Sequence, residues 1–202
     1  GKTTMPDFGM LSSGLSSLHG VTRNPWRLDR NTSGSSSGAA AACVAGYGPL
    51  HVGTDIGGSV RLPAAHGGFF ALKPSLGLVP VYPPYMGRVA GPMTRSVRDA
   101  AALLTVLSGP DERDFMSLPH RAIDYRIGVE GLSPKGLRIG VVRELPDSGM
   151  QPGVAASFRA SLAAMEAQGA EIVEISAPHF EHGVAAYYVL MPAEASSNLA
   201  RF

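Results

Sequence analysis

Between Thr32 and Pro63 the chain gathers glycine and hydroxyl side chains into two turns, and this stretch limits the fold more than any other. The first turn is Thr32-Ser33-Gly34-Ser35-Ser36-Ser37-Gly38; the second is Gly53-Thr54-Asp55-Ile56-Gly57-Gly58-Ser59-Val60-Arg61-Leu62-Pro63. Glycine and serine bury little apolar surface, and glycine loses the most backbone freedom on folding. Such a segment is worth building where amide donors and hydroxyls must converge on one point. Ala39 to Ala45 reads as a helix, because alanine is the strongest helix former and Ser36 or Ser37 can cap it. Gly46 and Gly48 stop it, Leu50-His51-Val52 reads as a short strand, and Thr54 to Gly58 as a turn. Ser59 then stands beside Gly57 and Gly58, where an exposed nucleophile finds amides for a developing oxyanion.

The rest of the chain offers less chemistry. Net charge is +1, from 17 basic and 16 acidic residues, so there is no electrostatic footprint for nucleic acid or an anionic membrane. No apolar run approaches the roughly 20 residues of a membrane span. The one cysteine, Cys43, excludes an internal disulfide, reads as a small core residue, and fits a cytoplasmic protein. His66 lies close in sequence to Ser59, but a histidine without a positioned carboxylate reads as structural. The segment from His66 to Leu72 reads as a glycine kink followed by a buried strand.

Met10 to Leu18 reads as a polar loop, and Asn24-Pro25-Trp26 as a turn anchored by its indole. Val79 to Gly87 is a proline-braced loop with two tyrosines. Ser96 caps a helix over 97–107, stopped by Gly109-Pro110. Residues 111–133 are charged and turn-rich and read as a connecting segment. A buried strand over 136–142, a loop through Gly149, a helix over 154–168 capped by Gly169 and a strand over 171–175 make a βαβ unit. The fold class is therefore α/β.

The two turns, with Ser59 following Ser35 by 24 positions, resemble the signature of the amidase signature family: a Gly-Gly-Ser-Ser-Gly-Gly turn followed by Gly-(Thr/Ser)-Asp-x-Gly-Gly-Ser-(Ile/Val)-Arg. Gly1-Lys2-Thr3, Arg23-Asn24-Pro25-Trp26, Leu72-Lys73-Pro74-Ser75-Leu76-Gly77 and Gly91-Pro92-Met93-Thr94-Arg95 are similar to further segments of that family. The tail, with Ala193-Glu194-Ala195-Ser196-Ser197-Asn198-Leu199-Ala200-Arg201, resembles one branch, the A subunits of glutamyl-tRNA(Gln) amidotransferases. The first half departs from that branch. Tyr85-Met86-Gly87-Arg88-Val89-Ala90 replaces its Phe-Ala-Ser-Ser-Leu-Asp-Gln stretch, and His66-Gly67-Gly68 its Phe-Cys-Gly.

The resemblance implies a mixed central β-sheet covered by helices. It implies hydrolysis of a carboxamide C–N bond through an acyl-enzyme, with no metal or organic cofactor. Ser59 would be acylated, Ser35, behind a cis peptide bond from Gly34, would relay its proton, and a neutral lysine would receive it. The amides of Ile56, Gly57, Gly58 and Ser59 would hold the oxyanion, with Ser36, Asp55 and Arg61 in support. Ser33 and Ser37 stand where the family usually has glycine, a steric conflict if either needs positive φ. The family's lysine lies upstream of Gly-Lys-Thr, and neither Lys2 nor Lys73 aligns with it. The chain is thus expected to be an interior part of a single amidase domain over 1–202, inactive by itself. The expected partner is a small-molecule amide; the assembly is a homodimer or, for an amidotransferase, a complex with partner subunits. An inactive binding or scaffold module with the same fold is the alternative of another class.

Overall fold

A computed structural model describes residues 1–121, 123–145 and 149–201. Its contacts divide the chain into two compact units, Gly1–Glu130 and Gly131–Phe202. The division falls inside the charged, turn-rich connecting segment.

The first unit opens with a 3₁₀ turn over Asp7–Gly9 and two small antiparallel pairs. These are β1 (Leu15–Ser16) with β2 (Gly20–Val21), and β3 (Arg23–Asn24) with β4 (Arg27–Asn31). The reading of 10–18 as loop thus changes only at β1. Helix α1 (Ser37–Val44) follows β4 across the first serine turn. Strand β5 (Leu50–Asp55) leads into the second turn, which runs directly into α2 (Arg61–Gly67). Then come β6 (Phe70–Ala71), β7 (Val89–Thr94) and α3 (Val97–Leu107).

Strands β5, β7 and β6 form an antiparallel sheet with β7 in the middle. The alanine-rich α1 has no polar face to turn outward, so it is buried among β5, α2 and β7. Ala39, Ala40, Val60 and Met93 form the core there, with Phe69 and Ala71 packed against it. Close packing explains the glycines on either side. A Cβ on Gly53 would lie 2.5 Å from both Met93 Sδ and Ser36 Oγ, and one on Gly38 would lie 2.7 Å from Thr4 Oγ1.

One sequence expectation is corrected in this unit. His66 and Gly67 close α2 instead of kinking into a strand, because Gly68 takes φ of 68° as the left-handed cap and its amide bonds the Ala64 carbonyl at 2.8 Å. The strand that follows is two residues long and Phe70 is half exposed.

The second unit contains β8 (Arg138–Val142), α4 (Pro152–Ala167), β9 (Glu171–Ile175) and α5 (Gly183–Leu199). Strands β8 and β9 pair in parallel, in register from Arg138↔Glu171 to Val142↔Ile175, as a βαβ unit requires. Gly169, at φ 94°, sits just past α4 as expected. The strand over 138–142 is half-exposed, which corrects its reading as buried. The loop through Gly149 falls partly on residues 146–148, outside the described residues, as does Phe202 of the tail. Strands of both orientations and helices that pack on them make the chain α/β with mixed pairing. Among the described residues no helix is long and apolar enough to cross a membrane.

Candidate active site

Ser35 is carried by the turn between β4 and α1, and Ser59 by the turn between β5 and α2. Ser36 joins the two turns. Its amide donates to the Ser59 carbonyl at 3.3 Å, while its hydroxyl accepts from the Thr54 amide at 3.1 Å and donates to the Thr54 carbonyl at 3.3 Å. A residue expected only to support or cap is thus the clamp that brings Ser35 and Ser59 together. Although Ser36 sits at the N-cap of α1, its side chain makes no cap bond, because the hydroxyl is spent on β5.

The first turn has a cis peptide bond between Gly34 and Ser35. Gly34 is required by proximity, since a Cβ there would lie 2.8 Å from the Ser13 amide nitrogen. Of the two serines that replace glycine, Ser33 takes φ of 64° and Ser37 is simply the first residue of α1. The left-handed conformation costs a non-glycine residue about 1–2 kcal/mol. Ser33 offsets this with two bonds: its amide donates to Asn31 Oδ1 at 2.7 Å and its hydroxyl to the Ser12 carbonyl at 3.2 Å. Ser35 is almost fully buried, and a Cβ on Gly9 would lie only 3.6 Å from its Oγ. The Asp7–Gly9 turn therefore covers the Ser35 hydroxyl, a role that sequence reasoning missed.

The second turn is organised by Asp55, which is fully buried. Its carboxylate accepts from the Gly58 amide at 2.8 Å, the Val60 amide at 3.1 Å, and Arg61 Nε and Nη2, both at 3.0 Å. Burial pushes this carboxyl up, but the bidentate Arg61 guanidinium and the Val60 and Gly58 amides outweigh it. The net result is a carboxyl held below its ordinary range. Arg61 is raised by the same contact. Asp55 and Arg61 thus tie the turn together.

The same bond corrects another expectation. Four amides were to face the oxyanion, but the Gly58 N–H points inward to Asp55, and one hydrogen serves one acceptor at this distance. Ile56, Gly57 and Ser59 keep the candidate amides. Ser59 is half-buried and Gly57 exposed, so this side of the turn is open to an incoming carbonyl.

Lys73 Nζ donates to the Pro74 carbonyl at 2.8 Å. His66 contributes its carbonyl to Asn24 Nδ2 at 3.1 Å, and Trp26 anchors its loop by donating Nε1 to the Gly67 carbonyl at 2.9 Å. Among the described residues no group of three His, Cys, Asp or Glu is placed to hold a metal ion.

Comparison with known proteins supplies a family. The chain is 46% identical over 214 residues to the A subunit of the glutamyl-tRNA(Gln) amidotransferase of Mycobacterium ulcerans. It is 48% identical over 210 residues to the corresponding protein of Symbiobacterium thermophilum. Each match covers 100% of the chain and 42% of the relative, so the chain spans less than half the length of these curated relatives. Among solved structures, the A subunit of the Thermotoga maritima amidotransferase superposes with a TM-score of 0.90 at 38% identity, covering 98% of this chain and 44% of that one. The peptide amidase of Stenotrophomonas maltophilia gives 0.84 at 31% identity, covering 100% and 43%. The family model described as Amidase matches residues 1–202, and with the paired serine turns in place the chain belongs to the amidase family.

Proposed function

We propose that the protein hydrolyses a carboxamide C–N bond through an acyl-enzyme on Ser59. The observation that carries this reading is the Ser36 clamp. It ties a half-buried serine on an amide-rich turn to the buried Ser35 on the neighbouring turn. In the proposed reaction Ser59 Oγ attacks the amide carbon. Its proton passes through Ser35 to a lysine, which in the family lies upstream of the Gly1-Lys2-Thr3 stretch. The oxyanion takes hydrogen bonds from the Ile56, Gly57 and Ser59 amides. The leaving nitrogen departs with a proton returned along the relay, and water then releases the acid and restores Ser59.

The identities of 46% and 48% to amidotransferase A subunits favour glutamine as the amide and ammonia as a product handed to a partner protein. The likeness to a peptide amidase at 31% is the weaker pull. On either reading both compact units belong to one amidase domain, since the family model runs through both. The proposed setting is the cytoplasm, in keeping with a lone buried cysteine.

Kinetics of the full-length protein, upstream lysine included, on a simple amide and on glutamine test the assignment. Ser59→Ala is expected to abolish turnover and labelling by a fluorophosphonate. Ser35→Ala is expected to leave a residual rate, reduced about 10²–10⁴-fold as for loss of a proton relay. Full activity in Ser59→Ala would overturn the nucleophile. A wild-type protein that is neither labelled nor active would point to the scaffold reading.

A further inference from the structure

Arg88 is the residue just before β7, and β7 pairs with the strand that carries the Ser59 turn. In the register of that pair Val89 faces Asp55 and Ala90 faces Thr54. Side chains alternate along a strand. Val89 and Asp55 are on the buried face, and both are buried. Arg88, one residue before Val89, lies at the strand end on the opposite side, with Ala90 and the exposed Thr54. Asp55 therefore braces the turn from the buried face, and continuing the β5–β7 register by one residue sets Arg88 opposite Ile56, at the start of the Ser59 turn.

The state of this guanidinium is unusual for the molecule. Arg27, Arg61, Arg113 and Arg126 are all exposed, and each chelates a carboxylate through two hydrogen bonds. Arg88 is half-buried, and among the described residues no carboxylate lies within ion-pair distance of it. Its guanidinium carbon sits 4.3 Å from the centre of the Tyr85 ring. The intervening loop is pinned by the Arg88 amide, which donates to the Tyr85 carbonyl at 3.1 Å. Burial pulls the Arg88 guanidinium down, with Tyr85 opposing. Arginine nonetheless stays charged in proteins. A stacked, half-buried cation without an anion is preorganised for one, because its planar fork matches a carboxylate and little side-chain freedom is left to lose.

We propose that Arg88 is a specificity-determining residue that selects amide substrates carrying a carboxylate, which it receives in a two-pronged contact while the amide carbon rests over Ser59. This rests on the reading of Ser59 as nucleophile. It goes beyond it by assigning the anionic end of the substrate to a residue outside both serine turns. It also gives a use to the Tyr85-Met86-Gly87-Arg88 segment, which departs from the amidotransferase branch.

The test pairs succinamate with butyramide, which has a methyl group in place of the carboxylate. The enzymes are the full-length wild type, Arg88→Met and Arg88→Lys. Wild type is expected to prefer succinamate in kcat/KM. Arg88→Met is expected to lose on the order of 10²-fold on succinamate, mostly in KM, and less than about threefold on butyramide. Arg88→Lys should recover part of the loss, since it restores the charge without the fork. A parallel arm measures succinamate binding by calorimetry in Ser59→Ala, with and without Arg88→Met, and needs no turnover. Binding that survives Arg88→Met, or equal losses on both amides in a folded variant, overturns the assignment. Failure of wild type to hydrolyse either amide or to take up fluorophosphonate would instead count against Ser59, and Arg88-dependent binding would still stand.

Discussion

At the scale of single residues, Asp55 decides most. A fully buried carboxylate with four donors could be read as a reactive group, but all four bonds run to the turn or to Arg61. Replacing it by asparagine removes the charge from those bonds. We expect a loss of about 2 kcal/mol at neutral pH from the charge-assisted hydrogen bonds. This lies below the range for a wholly buried pair because the Arg61 side chain is 54% exposed and can turn to water. The sign with pH follows from the direction of the shift. A carboxyl lower in the folded state than in the unfolded chain adds stability that is complete above its ordinary value near 4 and is lost as pH falls through the lower folded value. Melting temperatures of wild type and Asp55→Asn should therefore differ most at neutral pH and converge as pH drops below about 4. A gap that stays constant to pH 2 would show that the carboxylate's charge is not what braces the turn. Asp55 and Arg61 were legible in the sequence as braces because they flank the serine within one short motif. The inward direction of the Gly58 amide was not, since a glycine of either φ sign fits the same letters.

At the scale of elements, the second turn separates catalysis from stability. Gly58 takes φ of 122°, and a Cβ there would lie 2.9 Å from Leu62 Cδ1. Gly58→Val is thus expected to strain the turn, to pull the Gly58 amide off Asp55 and to misaim the neighbouring Ile56, Gly57 and Ser59 amides. Removing one oxyanion donor typically costs about 10²–10³-fold in rate. The rate should fall at least that far while the fold survives, as thermal melting measured beside the kinetics would reveal. Equal collapse of both would make the Gly57-Gly58 pair an ordinary turn. Helix α3 offers a plainer check. Ser96 Oγ accepts from the Asp99 amide at 3.0 Å and donates to Asp99 Oδ2 at 2.8 Å, so Ser96→Ala should cost about 1 kcal/mol, seen as a shift in the melting temperature. That helix could be read from its cap and its apolar spacing. Strand β7 could not, because Pro92 sits in the middle strand of the sheet, where a missing N–H argues against a strand. The fold tolerates it because its carbonyl still accepts from the Leu72 amide at 3.1 Å. Helix α5 likewise runs through Pro192, and only its resemblance to a known segment drew attention to it.

At the scale of the whole molecule, the small-residue core makes Cys43 a reporter. It is fully buried, and burial pushes its thiol up against a weaker opposing pull from Arg95. Alkylation of Cys43, followed by mass spectrometry of its peptide, should be negligible in the native protein and rise with denaturant along the global unfolding curve. Rapid labelling without denaturant would mean that α1 opens locally, and the serine turns with it. The sequence by itself named the family and the candidate bearers of the proposed chemistry. Two glycine-serine turns at a fixed separation carry the family resemblance, and that motif singles out Ser35, Ser59, Asp55 and Arg61 as the candidates. The α/β class followed from local periodicity in the same way, since capped helices and short apolar strands are written in neighbouring residues. Tertiary structure alone decided how those bearers meet. That Ser36 bonds β5 instead of capping its own helix, that the Asp7–Gly9 turn covers Ser35, and that Val89, next to Arg88, pairs with Asp55 at the start of the Ser59 turn all depend on contacts between residues 18 to more than 30 positions apart. No local pattern encodes such contacts, because they form only when the strands have found their register.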